Sequence, residues 1–579
     1  MGESVKNQTI AAGVTDLMSQ LLLELQQAAG TTQVLSGERR TRYYRRGYRS
    51  GEGHADAVVL PTSLKAYWRV LQVCVAHQAV IIMQAANTGL TEGSTPSGND
   101  YQRPVVIINT NKLGGLHLSP DKQTVIALAG SSLHQLEKAL APYDREPHSV
   151  IGSSCLGASV IGGIANNSGG ALIQRGPAFT HYALYAQIDA DGELKLVNHL
   201  GIPLAGDPDA QLGALQQGKL DWQALVHEPD KMASDREYCQ RLRDTESDTP
   251  ARFNADPRRL YEASGCAGKL AVFAVRLDTF AKPAKQQAFY LGCNDPAVFT
   301  RLRQAVLTQF NTLPVYGEYI HRDAFNLARR YGKDTFVAIE RLGTDSMPAL
   351  FAQKGKFTGW FNQLGLTNLP DKLMQWGSCV LPEHLPARLL SMASEFEHHL
   401  IIKMADEGIS EFAAFATDFF AREAGKCLTL NANETSKALL HRFAVAGAAI
   451  RYQQMHSHEC EDVLALDIAL PRNCHHWFEQ LPPQLTDKLI QPLYYGHFFC
   501  HVFHQDYLVK KGEDVEAIKQ ALLALLEERG ARYPAEHNFG HLYPASEEVK
   551  AFYQTLDPTN SFNPGIGKAT RQRHWGKCC

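Results

Sequence analysis

Gln84-Ala-Ala-Asn-Thr-Gly-Leu-Thr-Glu-Gly-Ser-Thr-Pro96 directly follows the apolar run Ala79-Val-Ile-Ile-Met83 and consists mainly of small residues, hydroxyls and amides. Glycine allows positive φ and close approach of the backbone to an anion, and free N–H groups in such a loop form a concave nest for phosphate oxygens. Further on, Ile151-Gly-Ser-Ser-Cys-Leu-Gly-Ala-Ser-Val-Ile-Gly-Gly-Ile-Ala-Asn-Asn-Ser-Gly-Gly170 repeats this chemistry at greater length. Neither stretch is a GxGxxG opening a helix or a GxxxxGK[ST] loop, so the Rossmann and P-loop signatures are missing. Either stretch alone reads as an ordinary turn. Together, each after a β-like run, they suit one pyrophosphate gripped from two sides.

The surrounding residues alternate in an α+β manner. Ala57-Val-Val-Leu60, Ala79–Met83, Val105–Ile108 and Thr124–Leu128 read as strands. Thr62-Ser63 can cap a helix whose apolar positions Leu64, Trp68, Leu71 and Val75 follow helical spacing, and a second helix is expected from about Ser132 to Ala141. These elements imply two α/β lobes with a cofactor between them. Residues 205–247 are polar and poorly periodic and read as a surface insertion, whereas Gly268–Leu277 reads as a buried strand.

With 579 residues, 44% hydrophobic and 20% charged, the chain is globular and long enough for about two to four domains. A net charge of −3 gives no electrostatic case for nucleic acid. Twelve cysteines without CxxC spacing fit reduced thiols in a cytosolic compartment. No signal peptide is evident, and no apolar run reaches the ~18 residues of a membrane span. Membrane association, if it occurs, is expected to be peripheral.

Ala85-Ala-Asn-Thr-Gly89 with Gly93-Ser94, and Arg145-Glu-Pro-His-Ser-Val-Ile-Gly-Ser-Ser154, resemble the FAD loops of the vanillyl-alcohol-oxidase/PCMH flavoprotein superfamily. Within it the chain is most similar to the respiratory, quinone-dependent D-lactate dehydrogenases of bacteria. The resemblance runs nearly end to end, through Tyr48-Arg-Ser-Gly51, Asp248-Thr-Pro-Ala-Arg252, Gly265–Arg276, Tyr494-Tyr-Gly-His497 and Asn563-Pro-Gly-Ile-Gly-Lys568. It implies a two-lobed PCMH-type FAD-binding domain over 1–278, completed by a return at 529–579. A cap domain with an antiparallel sheet is implied over 279–320 and 397–528, interrupted by a mainly helical membrane-facing insertion at 321–396 that residues 434–457 could join. The cofactor-binding positions carried over are Ala85, Ala86, Asn87, Thr88, Gly89, Gly93, Ser94, Gly152, Ser159 and Gly169, with Val272 near the adenine end through its backbone.

Ten of the 23 histidines fall between His441 and His541. By resemblance, His497 and His504 fall on a Gly-His…Asn-x-His motif of D-2-hydroxyacid dehydrogenases, and Glu536-His537 on their Glu-His motif. The chemistry explains the residue types. Oxidising a 2-hydroxy acid removes the hydroxyl proton and sends the C2 hydride to flavin N5, and a neutral imidazole takes that proton near neutral pH. A guanidinium holds the carboxylate by a two-pronged contact. His537 is therefore expected as base and Arg442 as carboxylate clamp, with Arg451 as second choice. His497, His504 and Glu536 also have the character of metal ligands, as in relatives that hold zinc against the substrate. Here Phe498-Phe-Cys-His-Val502 replaces the small residues between the histidines, so the metal stays open.

Asn87-Thr-Gly-Leu-Thr-Glu92 contains no His or Cys, and Cys155 reads as a packing residue, so FAD is expected to bind non-covalently. Phe351, Phe357, Trp360, Phe361 and Trp376, with Lys354, Lys356, Lys372 and Arg388, suit the anionic headgroups on the cytoplasmic side of a bacterial inner membrane. The run Arg39–Arg49 packs six arginines into eleven residues, serving lipid headgroups, the FAD pyrophosphate or solvation. The leading expectation is D-lactate oxidation with membrane quinone as acceptor. Alternatives are another D-2-hydroxy acid (glycolate or 2-hydroxyglutarate), an oxygen-using oxidase, or a flavin electron-transfer protein without its own substrate.

Overall fold

The computed structural model describes residues 17–149, 157–342 and 369–576. Its first layer is a four-stranded sheet in the spatial order Val34–Ser36, Ala57–Val59, Val105–Asn109, Val80–Gln84. The last three run parallel, with Val80 beside Val105 and Gln84 beside Asn109. Parallel strands are covered on both faces, which explains their unbroken Val/Ile runs. The helix Leu64–Ala76 covers one face; Ser63 caps it by accepting from the Ala66 N–H, and Leu64, Trp68 and Leu71 are buried while Val75 is half-buried. The parallel strands end together, so the loop after Gln84 emerges at the carboxyl edge of this sheet.

A second sheet, of five antiparallel strands, orders Leu116–Leu118, Thr124–Leu128, Ala271–Asp278, Ala183–Ile188 and Leu194–Asn198. The helix Leu133–Leu140 begins in a capping box of Ser132 and Gln135. The Ala271–Asp278 strand slips register against Ala183–Ile188 between Val272 and Ala274, a bulge that leaves Phe273 without a partner on that side. Two expectations need correction. The second glycine stretch contains a short helix, Val160–Ala165, capped by Ser159, so it is not loop throughout. Residues 205–247 are packed: helix Pro208–Gln216 buries Leu212 and Leu215, and buried Asp235 pairs with Arg241 and Arg259. Their polarity reflects ion pairs closed by tertiary contacts, which sequence periodicity does not report.

The third layer is a seven-stranded antiparallel sheet, in the order Lys426–Thr429, Gln286–Cys293, His398–Ala405, Tyr316–His321, Leu489–His497, Val502–Lys510, Cys460–Ala469. One face carries the largest apolar core, with Phe299, Leu302, Tyr319, Trp477, Phe498 and Phe503. Between its strands run the helices Arg322–Tyr331, Lys333–Leu342, Leu369–Cys379 and Ala387–Glu395, onto which Ala432–Phe443 and Val445–Met455 pack. The chain then returns to the first sheet, where Phe562 bridges Ile81 in parallel. No described helix is long and apolar enough to cross a membrane.

Candidate active site

The first glycine loop is held open by amides. Asn109 Nδ2 donates to the Ala85 carbonyl, Gln84 Nε2 to that of Ser94, and Ser94 Oγ to Asn87 Oδ1 at 2.7 Å. Asn87 itself adopts φ 54°. The returning C-terminal segment clamps the loop: Thr91 Oγ1 donates to the His537 carbonyl at 2.8 Å, and Asn563 Nδ2 to that of Gly93 at 2.8 Å. Gly540 is obligatory there, because a Cβ would lie 1.6 Å from the Thr91 oxygen. Gly89 and Gly93 face open space or ordinary contacts, leaving room above the loop with Ala86 and Thr88 half-buried.

Across from it, Asn166 accepts from Asn254 and Asn538, and Asn538 N–H donates to Asn254 Oδ1 at 2.8 Å. Gly152 and Cys155 lie outside the described residues. Around both loops, buried polar atoms lack partners: His148 Nδ1 and Nε2, Ser149 Oγ, Asn167 Oδ1, His541 Nε2 and Asn563 Oδ1. Buried polar groups ordinarily find partners, so this cleft fits a large polar ligand such as a dinucleotide. Burial pushes the His148 imidazole down to about 3, keeping it neutral.

The cap sheet supplies the chemistry. Glu318 stands opposite His497, Tyr495 opposite His504, and His504 opposite Asp467. Strand alternation therefore puts Glu318, His497, His504 and Asp467 on one face of four adjacent strands. The return segment crosses the edge strand Cys460–Ala469, pairing Arg532 with Ala469, and its Glu536 N–H donates to Asp467 Oδ2 at 2.5 Å. That crossing carries Glu536 and His537 into the row. The bulky Phe498-Phe499 turn points into the cap core, so it does not separate the two histidines.

Distances define an alternating chain of charge. Arg252 pairs with Glu536, whose carboxylate lies 3.4 Å from His497 Nε2 and 3.7 Å from His504 Nε2. His497 Nδ1 meets Glu318 at 2.6 Å, and Glu318 meets Arg442 at 3.1 Å, with the Arg442 guanidinium over the Tyr495 ring. Burial opposes ionisation throughout, yet Arg252 and His497 hold Glu536 well below the ordinary carboxylate range. Against the same burial penalty, His497 and Arg442 hold Glu318 low, while the two carboxylates raise His497 to about 10. Burial drives His504 well below its usual value and raises Asp467 to about 6. His497 is thus a committed cation and His504 a neutral ring. His537, about a third exposed, lies 3.9 Å from Asp467.

Five expected residues, His497, His504, Glu536, His537 and Arg442, belong to this row, with Arg442 reaching it through Glu318. Arg451 is instead engaged by Asp334 at 2.9 Å. Sequence reasoning missed Glu318, Asp467 and Arg252. A signal existed for the first two: each is a lone carboxylate inside an apolar strand run, Tyr316–His321 and Leu464–Leu470. Ligand atoms of His497, His504 and Glu536 lie within 4.8 Å of one another, as do those of Asp467, His504 and His537, so either trio could hold a divalent ion. A surface cavity of about 730 Å³, lined by Ser119, Trp222, Arg236 and Asp278, shares none of these residues.

Known proteins match along nearly the whole chain. Residues 55–198 fit a family described as an FAD binding domain, and residues 288–575 one described as D-lactate dehydrogenase, membrane binding. The quinone-dependent D-lactate dehydrogenase of Escherichia coli (strain K12) is 53% identical over 556 residues, covering 96% of this chain and 97% of that protein. The Haemophilus influenzae protein of the same name is 51% identical, covering 97% and 100%. That of Corynebacterium glutamicum is 43% identical, covering 94% and 96%. Among solved structures, substrate-bound p-cresol methylhydroxylase has a TM-score of 0.59 at 14% identity, covering 96% of this chain and 97% of its own. The 4-ethylphenol oxidase from Gulosibacter chungangensis has a TM-score of 0.56 at 10% identity, covering 95% and 97%. Both share the fold.

Proposed function

Because the chain belongs to the quinone-dependent D-lactate dehydrogenases, we propose that it oxidises D-lactate to pyruvate on bound FAD and passes the electrons to membrane quinone. The observation that carries this reading is that one segment, Glu536–His541, joins the first glycine loop to the histidine-carboxylate row. Cofactor and acid–base groups then share a single cleft. Bound there, FAD supplies the hydride acceptor.

The chain's own residues do the rest. His537 accepts the hydroxyl proton, with Asp467 beside it to steady the imidazolium. His504, kept neutral, offers a hydrogen bond to the substrate oxygen. Arg442 and the cationic His497 give the cleft the positive potential that a monocarboxylate requires. Residues Ala85–Gly89, Gly93, Ser94, Gly152, Ser159, Gly169 and Val272 hold the dinucleotide, without a covalent link. Anaerobic addition of D-lactate should bleach the visible flavin band, whereas L-lactate, glycolate and D-2-hydroxyglutarate should leave it largely unchanged. Bleaching by 2-hydroxyglutarate alone would reassign the substrate.

A second reading is favoured by the convergence of His497, His504 and Glu536. With His497 as the neutral ring, their donors suit one zinc-like ion with an open position, which would polarise the substrate hydroxyl. Metal analysis of the purified protein, with activity before and after chelation, separates the two readings.

For the membrane, helix Leu369–Cys379 is turned inside out. Gln375 and Ser378 are buried, while Leu373, Met374, Trp376 and the following Val380 are exposed, Trp376 by 73%. Apolar side chains facing outward beside exposed Lys372 suit a peripheral contact with anionic lipid on the cytoplasmic leaflet. Phe351, Lys354, Lys356, Phe357, Trp360 and Phe361 lie outside the described residues, and Arg388 is occupied by Glu434 at 3.0 Å. In the arginine run, Arg45 donates to the Gly53 carbonyl, Arg46 pairs with Glu52 and Arg49 donates to the Val463 carbonyl, while Arg39, Arg40 and Arg42 are exposed. Trp376→Ser should lower binding to vesicles of anionic lipid without changing activity in solution with a soluble acceptor. Unchanged vesicle binding would move the contact elsewhere.

A further inference from the structure

Among the described residues, Arg252 is the one guanidinium that touches both the second glycine stretch and the carboxylate row, and its hydrogen bonding is incomplete. Its side chain is 2% exposed. Nη2 pairs with Glu536 and donates to the Gly170 carbonyl at 3.1 Å, but Nε and Nη1 have no partner. Of the five N–H groups of an arginine, the one on Nε and the two on Nη1 are therefore unused. Buried donors left in this way are costly unless a ligand accepts from them. Nη1 lies directly over Gly169, where a Cβ would sit 1.3 Å away. Gly169 does not have positive φ. Its glycine is explained by the guanidinium stacked on it.

The two sides of Arg252 differ. The side toward the cap is closed by Glu536, whereas Nε and Nη1, packed over Gly169, are buried and have no acceptor. We propose that these unpaired N–H groups supply the fixed positive charge facing the isoalloxazine ring, making Arg252 the residue that sets the flavin's electron affinity. The inference rests on the FAD reading of the cleft. Hydride carries two electrons and one proton; when it leaves C2 and the hydroxyl proton goes to His537, the flavin gains one negative charge. A buried cation already in place stabilises that charge without reorganisation at the moment of transfer. Glu536 holds Arg252 in position, so the same carboxylate serves the histidine row on one side and the cofactor on the other.

The test uses FAD-loaded holoenzyme carrying Arg252→Met, Arg252→Lys or Gly169→Ala, with flavin content measured first. Sulfite, which adds to oxidised flavin to give an anionic adduct, is the probe of nearby positive charge. Arg252→Met should weaken sulfite binding at least tenfold and lower the two-electron midpoint potential, about 30 mV for each tenfold change. Arg252→Lys should recover part of both. Unchanged sulfite affinity and potential, with a raised KM for D-lactate, would place the substrate carboxylate on Arg252 and overturn the proposal. Should Arg252→Met fail to fold with Glu536 left unpaired, Gly169→Ala displaces the guanidinium without deleting it, and the same shifts are expected. No shift in Gly169→Ala or Arg252→Lys refutes the role. Absence of flavin from the unaltered protein would instead remove the FAD reading beneath it.

Discussion

The nucleotide half and the cap half of the cleft are built by opposite means. The nucleotide half uses consecutive small residues, Ala85 to Ser94, whose positions are set by amides and backbone hydrogen bonds. The cap half uses single titratable side chains from strands far apart in the chain, Glu318, His497, His504 and Asp467, joined by Arg252 and Glu536. A phosphate needs N–H groups close together, which adjacent residues provide. Proton and hydride chemistry needs a few groups with displaced protonation, which only burial among opposite charges provides.

The sharpest break in this contrast is His537→Asn. It should cut kcat with D-lactate by about 10²- to 10⁴-fold, the range for a lost general base, while FAD content stays normal. Retained kcat would move the proton to His504. Next comes Glu318→Leu, which strands Arg442 as a buried cation and leaves His497 with Glu536 alone. A loss of about 3–5 kcal/mol in denaturant stability is expected for an uncompensated charge of this kind. A loss below about 1 kcal/mol would mean that solvent reaches the cluster.

The third test is acid. His398, His399 and His441 of the cap half are held neutral by burial, down to about 3, and His384 to about 4. Their folded values lie below the unfolded value near 6.5, so the unfolded chain binds more protons in that window. Stability is therefore present above about 6.5 and lost progressively as pH falls toward 3. His497, raised to about 10, has the opposite sign: its contribution is full below about 6.5 and fades as pH rises through 10. On the nucleotide side His148 and His541 share the acid trend, against these four histidines of the cap, so the cap signal in near-ultraviolet circular dichroism should fall first. Simultaneous loss of both halves would show that they unfold as one unit. The smallest effect is Gly93→Ala. Its added Cβ meets only ordinary contacts at 3.7 and 3.9 Å, so apoprotein stability should hold. FAD affinity should drop about tenfold, near 1.4 kcal/mol. Equal affinity would show that the ring or phosphates do not approach this position.

Legibility followed the same division. The strand before Gln84, the Ser63 cap and the helix from about Ser132 are local patterns, and each element formed within a residue or two of its expected place. Helix Val160–Ala165 was hidden because its glycines and alanine carry weak periodicity. The packing of Asp235 with Arg241 and Arg259 was hidden because charge looks exposed until its partners are known. His497, His504 and Glu536-His537 stood out through family resemblance; Arg442, ranked ahead of Arg451, reaches the row through Glu318, whereas Arg451 pairs with Asp334.

By itself, the amino-acid order determined two glycine-rich stretches, the first on a β-strand, a globular composition without an apolar run of spanning length, and a histidine-rich second half. Those properties depend on neighbouring residues and on composition. Only the tertiary structure decided that Glu318, His497, His504 and Asp467 line one face, that Glu536 links them to Arg252, and that Trp376 points outward while Gln375 points in. Strand register and burial set those relations, and both arise from contacts between segments that no short window of sequence contains.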